Sequence, residues 1–224
     1  MPFLQPHRDL VLQTPFYQRT IHLDNGVFSW ETMIRPPESP EFIPCHHNNG
    51  WGLPFESAVK YDGRWHSAGI RRQQHVLWQD RQSEFELENI EVVGTSCHLD
   101  MAGRELRMRL TLELSEELPY FTKYVTVTNC SGRDITVENL CPELFYSVRC
   151  GRNLEFLSDF RLPVQGVNRH EVGYVDFQFP SDVDHLLKPG ESMESFRLVT
   201  MILPENEDRK SIWRSRILRS LCPH

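Results

Sequence analysis

The sequence predicts an all-β chain, an antiparallel β-sandwich of the supersandwich kind closed by one C-terminal helix. Three observations point there. Segments in which apolar and polar residues alternate recur along most of the chain, which is the signature of strands with one buried and one wet face. Turn residues separate them at short intervals. Helical spacing is clear only in the last twenty residues.

In chain order, "RTIHL" (19–23) and "GVFSWETMI" (26–34) read as strands joined by the turn Asp24-Asn25-Gly26. The stretch 35–69 holds five of the fifteen prolines, together with Trp51 and Trp65, and reads as one long loop that either covers the end of a core or carries function. In "SEFELENIEVV" (83–93) the apolar phase slips from Phe85 and Leu87 to Ile90 and Val92, so a β-bulge is expected near Glu88 or Asn89. "GTSCHLDM" (94–101) follows. "RELRMRLTLEL" (104–114) is the cleanest strand, with Leu106, Met108, Leu110, Leu112 and Leu114 on one face. "KYVTVTN" (123–129) and "DITVENL" (134–140) flank "CSGR" and read as an antiparallel hairpin. Later strands are expected at 173–179 and 194–203. The tail "ENEDRKSIWRSRILRSLCPH" spaces Ile212, Trp213, Ile217, Leu218 and Leu221 as a helix does, with acids ahead and bases behind, as the helix dipole prefers. The domain reading is therefore a sandwich over 1–205 and a helical linker over 206–224.

The 224 residues suffice for a substantial core, and 39% hydrophobic with 25% charged residues is ordinary for a globular protein. A net charge of −7 argues against a nucleic-acid partner, whose phosphates select a basic face. No apolar run reaches the roughly 18 to 20 residues of a membrane span, and the first residues lack the basic and apolar regions of a signal peptide. The six cysteines show no C-x-x-C spacing, so reduced thiols and a cytoplasmic location are expected. No metal or other cofactor is expected: in "CHHNN" (45–49) neighbouring side chains on a strand point to opposite faces.

Glu143 stands out, a carboxylate among Leu140, Leu144, Phe145 and Tyr146. Either it accepts hydrogen bonds from sugar hydroxyls at the rim of a concave sheet, or it pairs with an arginine and is purely structural; the second carries more weight. His46, His47, Trp51 and Trp65 make a composition suited to carbohydrate contact, with core-plugging tryptophans as the equal alternative. No nucleophile elbow, phosphate loop, dinucleotide fingerprint or H-E-x-x-H is present. No catalytic residue is assigned.

"LPYFTKYVTVTNCSGRDITVENLCPELF" (118–145), preceded by "RELRMRLTLELSEE", resembles the N-terminal β-supersandwich domain of α-galactosidase-type family 36 glycoside hydrolases, a fold similar to galactose mutarotase. "RTIHLDNGVFSWETMI", "LLKPGESMESFRLVTMIL" and "IWRSRILRSLCPH" resemble that domain's opening hairpin, late strand and linker helix. In that family the catalytic aspartates lie on a (β/α)8 barrel that follows the domain. The resemblance thus implies a non-catalytic domain beside such a barrel, as a domain or subunit, with an oligosaccharide as the ligand in reach; a homo-oligomer is compatible with it. Two alternatives remain open. One is a mutarotase-type epimerase using Glu143 with His98, His170 or His185; the other is an immunoglobulin-like interaction module.

Overall fold

A computed structural model describes residues 3–4, 9–23, 27–47, 56–68, 84–146, 151–159, 164–167, 174–179 and 181–222. The first strands are β1 (Phe3–Leu4), β2 (Asp9–Gln13), β3 (Tyr17–His22), β4 (Phe28–Ile34) and β5 (Ile43–His47). Next come β6 (Ala58–Tyr61), β7 (Arg64–Ser67), β8 (Phe85–Val93), β9 (Ser96–Gly103) and β10 (Leu106–Leu114). They are followed by β11 (Tyr120–Asn129), β12 (Ile135–Cys141), β13 (Glu143–Tyr146), β14 (Leu154–Ser158) and β15 (Val164–Val167). The last are β16 (Tyr174–Gln178), β17 (His185–Leu187), β18 (Ser192–Glu194) and β19 (Leu198–Ile202), and the chain then enters helix α1 (Glu207–Leu221).

The described strands form four antiparallel sheets. A five-stranded sheet runs β1-β2-β3-β4-β5, and a seven-stranded one runs β14-β19-β11-β10-β9-β8 with β18 added beside β11. A four-stranded sheet runs β17-β12-β6-β7, and a three-stranded one β13-β16-β15. The all-β sandwich expected from the sequence is the observed architecture. The alternation in β10 is the plainest reason: Leu106, Met108, Leu110, Leu112 and Leu114 are all buried, and they share one core with Leu10, Leu12, Ile21, Leu99, Val125, Val127, Ile135 and Val137. The phase slip in β8 is also real, since its register against β9 shifts between Leu87 and Asn89.

Three expectations need correction. The stretch 35–69 is not one loop, because it contains β5 and the β6–β7 hairpin. Asp62 and Gly63 take φ of 50° and 73° between those strands, the left-handed pair that a tight hairpin turn matched to strand twist requires. Second, β11 and β12 do not form a hairpin. β11 pairs with β10, β18 and β19, whereas β12 pairs with β6 and β17, so the chain arches from one sheet to another. Asn129, fully buried, holds the arch. Its amide donates to the carbonyls of Arg133 (2.8 Å) and Leu187 (2.9 Å), and its side-chain oxygen accepts from the Ser131 backbone N–H (2.9 Å) and hydroxyl (2.7 Å). Both strands can then turn apolar side chains toward a common interior, which a flat hairpin would not allow. Third, the thiols are not uniformly reduced. Cys45 is disulfide-bonded, while Cys97, Cys130, Cys141 and Cys222 are free. Spacing along the chain says little about pairs that a fold brings together. The Asp24-Asn25-Gly26 turn lies outside the described residues.

The tail helix forms where expected. The Asn206 side chain caps it by accepting from the Arg209 N–H (3.1 Å), and Glu207 and Asp208 occupy its first turn. It lies on the outer face of the seven-stranded sheet, where Ile217 is buried against Met201 and Leu203, with Trp213 and Leu221 alongside. Burying such a side chain contributes about 1.5–3 kcal/mol. Arg214 pairs with Glu155 of β14, and Arg209 with Glu38 of the β4–β5 connection. Among the described residues no helix is long and apolar enough to cross a membrane.

Candidate functional site

The alternation that builds the core also carries charge into it. In β3, Tyr17, Arg19 and Ile21 face inward; in β11, Phe121, Lys123, Val125 and Val127 do. A guanidinium and an ammonium therefore sit where the period calls for apolar side chains. Two carboxylates meet them, Glu143 at the start of β13 and Glu56 just ahead of β6.

All four charged side chains are sealed from solvent, with exposures of 0–2%. Arg19 donates to both Glu143 oxygens (Nη1 to Oε2 2.7 Å, Nη2 to Oε1 3.1 Å), and its Nη2 lies 2.8 Å from Glu56 Oε2. Lys123 Nζ donates to Glu56 Oε2 (2.9 Å), to Glu143 Oε1 (3.0 Å) and to the Glu56 backbone carbonyl (2.7 Å). Two cations meet two anions: Arg19, Lys123 and Glu143 come from three different sheets, and Glu56 lies just ahead of β6 of the fourth. The Tyr17 hydroxyl lies 3.5 Å from Arg19 Nη1, and the Tyr17 ring packs on Phe121 with centroids 4.3 Å apart.

Desolvation opposes the charge on Arg19, but Glu143 and Glu56 outweigh it and hold its pKa well above the ordinary value. Burial, with Arg19 opposing and Glu143 assisting, pushes the Tyr17 phenol far above its usual range. With its oxygens engaged by Arg19 and Lys123 and none of its surface exposed, Glu143 has the ion-paired geometry. Of the histidines named beside it for epimerase chemistry, His98 lies on β9 with its Nδ1 3.0 Å from the Thr111 hydroxyl, and His185 is exposed on β17. Both are on other sheets than Glu143. His170 lies outside the described residues.

Trp65 is half-buried on β7, next to His66, which faces the opposite way into the hairpin. His66 stacks on Tyr61 (3.8 Å between centroids, 15° between planes) and binds Glu84 Oε2 through Nδ1 at 2.9 Å. Burial lowers its pKa more than Glu84 raises it. His46 and His47 are on β5, opposite Thr32 and Glu31 of β4. Trp51 lies outside the described residues. Among the described residues, no group of three His, Cys, Asp or Glu side chains is placed to hold a metal ion.

Arg19, Glu56 and Lys123 escaped the sequence reading. For Arg19 and Lys123 a signal was present, a cation at an inward position of an otherwise apolar alternation. For Glu56 there was none, because the period of two is not established before β6.

No family model and no curated protein matches this chain. Its fold does have counterparts among solved structures. A polysaccharide lyase superposes with a TM-score of 0.50 at 12% identity, over 92% of this chain and 35% of the lyase. A GH36 α-galactosidase from Geobacillus stearothermophilus gives 0.50 at 10%, over 94% of this chain and 42% of the galactosidase. The galactosidase domain of an α-galactosidase–sucrose kinase gives 0.48 at 10%, over 90% and 41%. At such identities the likeness is one of fold, and this chain spans less than half the length of each.

Proposed function

We propose that this chain is a non-catalytic, carbohydrate-associated β-sandwich domain that supports or shapes the substrate cleft of a glycoside hydrolase of the α-galactosidase type. The observation that carries the reading is the fold likeness, which takes in more than nine-tenths of this chain but only 35% of a polysaccharide lyase and 42% of an α-galactosidase. Lyases and galactosidases break glycosidic bonds by different chemistry, so a layer common to both is better suited to scaffolding than to bond breaking. The one carboxylate singled out in the sequence supports this, because an acid or base must reach its substrate and Glu143 is sealed. In this reading the sandwich spans 1–205, and 206–224 is the linker toward a (β/α)8 barrel domain or subunit.

The test is direct. The purified 224-residue chain is assayed with aryl α-galactosides and with acidic polysaccharides. No turnover above the uncatalysed rate is expected, and saturable turnover of either class would overturn the non-catalytic reading.

A further inference from the structure

At one end of the sandwich three connections meet: the β2–β3 turn, the β4–β5 connection and the β10–β11 turn. Between them lies a cleft of about 510 Å³ lined by Gln13, Thr14, Pro15, Arg35, Phe42 and Glu116. That volume falls within the roughly 300–1,000 Å³ typical of small-molecule sites.

Its walls are tied down by hydrogen bonds. Thr14 N–H donates to the Tyr17 carbonyl (2.8 Å) while the Thr14 hydroxyl accepts from Phe16 N–H (3.2 Å), which fixes the first rim. Arg35 N–H donates to the Phe16 carbonyl (2.8 Å), joining the second wall to the first. The Ser115 hydroxyl accepts from Leu118 N–H (3.0 Å) and closes the turn that presents Glu116. Within the second wall, Glu38 holds a positive φ of 71°, unusual for a residue with a side chain. The bidentate pair with Arg209 anchors it, so α1 braces this wall.

The charges in the cleft are left open. The Arg35 guanidinium rests over the half-buried Phe42 ring, 5.2 Å from its centroid, and has no carboxylate partner among the described residues. Glu116 is exposed, likewise without an ion-pair partner among them, and the two do not close on each other. An anion entering the cleft meets Glu116, and a cation meets Arg35. A hydroxyl satisfies both, because it accepts from a guanidinium and donates to a carboxylate.

We infer that this cleft binds a neutral oligosaccharide, with Arg35 and Glu116 gripping neighbouring hydroxyls of one sugar ring and Phe42 supplying apolar surface beside them. The inference rests on the carbohydrate-associated reading and gives it a site and a ligand class. The test is calorimetric titration of the 224-residue chain with melibiose, cellobiose, maltotriose and digalacturonate. At least one neutral sugar is expected to bind, with the affinity falling about tenfold or more in Arg35→Ala and in Glu116→Ala and unchanged in Trp65→Ala. Thermal melts check that the fold is intact. Should either variant melt early, Arg35→Lys and Glu116→Gln replace it and are expected to weaken binding in the same direction. Binding of digalacturonate alone, binding by no neutral sugar, or affinity unmoved by both cleft variants would each overturn the inference. Absence of binding without turnover removes the cleft and leaves the scaffold reading standing, whereas turnover by the chain removes the scaffold reading whatever the cleft does.

Discussion

Replacing Glu143 by Gln keeps the shape of the side chain and removes one of four buried charges. The variant loses charge-assisted contacts of 2.7 and 3.1 Å to Arg19 and of 3.0 Å to Lys123. Among the described residues, two cations are left with the Glu56 carboxylate alone between them, in a place where water cannot compensate because exposures are 0–2%. The new amide NH2 group also confronts donors rather than acceptors. Breaking a buried pair in this way costs about 3–5 kcal/mol, against a total stability on the order of 5–15 kcal/mol for a natural domain. Equilibrium urea denaturation reads it. With an m-value near the upper end of the roughly 1–3 kcal/mol/M range, the midpoint should fall by about 1 M or more. Adding Lys123→Met restores the balance as a single Arg19–Glu56 pair. The double variant should therefore lose less than the sum of the two single variants, by about 0.5–3 kcal/mol. A Glu143→Gln protein within about 0.5 kcal/mol of wild type, or strict additivity in the cycle, would refute the reasoning.

Other consequences are open to measurement. Asn129→Ala should destabilise by about 2–4 kcal/mol in the same denaturation assay, since it removes the arch's hydrogen bonds and strands the Leu187 carbonyl in the interior; an unchanged midpoint would mean that the arch does not depend on them. Burial, assisted by Glu105 and Glu84, pushes the Tyr61 phenol from 10.0 up to about 12. The folded state thus keeps a proton that the unfolded chain gives up, so this contribution is intact below pH 10 and is lost as pH climbs from there to about 12. Phenolate absorbance with Tyr61→Phe as the difference control checks it, and a Tyr61 titration centred at 10 would contradict it. Under a thiol reagent, exposed Cys130 and Cys222 should label first. Cys97, whose thiol burial raises to about 11, should label slowly, and Cys45 only after a reductant is added; peptide mapping that finds Cys45 labelled without reductant would contradict the disulfide.

What the sequence disclosed follows a simple division. Features set by neighbours along the chain could be read: the alternation of β10, the bulge between Leu87 and Asn89, and the capped amphipathic tail helix. The Asp62-Gly63 turn belongs to the same class, and its dipeptide is a plain hairpin signal that the surrounding prolines and tryptophans of 35–69 obscured. Features set by partners far away could not be read. Nothing local to "VTVTNCSGRDITV" tells a hairpin from an arch, because the choice depends on β10 and β19 claiming one strand and β6 and β17 the other. The charge cluster lies between the two classes. The inward positions of Arg19 and Lys123 were visible as breaks in a period, but that Glu56 and Glu143 would meet them spans separations of up to 124 residues.

The burial of four charges asks what they contribute that apolar side chains would not. Net stability is a poor answer, because desolvating each ion costs several kcal/mol and the attraction regained is of similar size. Register is a better one. A strand slipped by one residue turns every side chain to the other face. In β3 or β11 such a slip would carry Arg19 or Lys123 outward and leave Glu143 and Glu56 buried with a single cation between them. Leu, Val and Ile positions are interchangeable enough to tolerate several stackings, whereas three charges from three sheets and a fourth at the entry to the remaining sheet satisfy one another in a single arrangement. The hypothesis predicts that Arg19→Met, Glu56→Leu, Lys123→Met and Glu143→Leu combined will be milder than Glu143→Gln alone, losing no more than about 1–3 kcal/mol, the floor being the Glu56 carbonyl deprived of the Lys123 donor. Uniqueness should suffer instead, with broadened amide resonances and binding of a hydrophobic dye at temperatures where the wild type shows neither. If the fourfold variant keeps sharp, dispersed spectra, the charges are not what fixes the stacking of the sheets; if it unfolds outright, they supply stability after all.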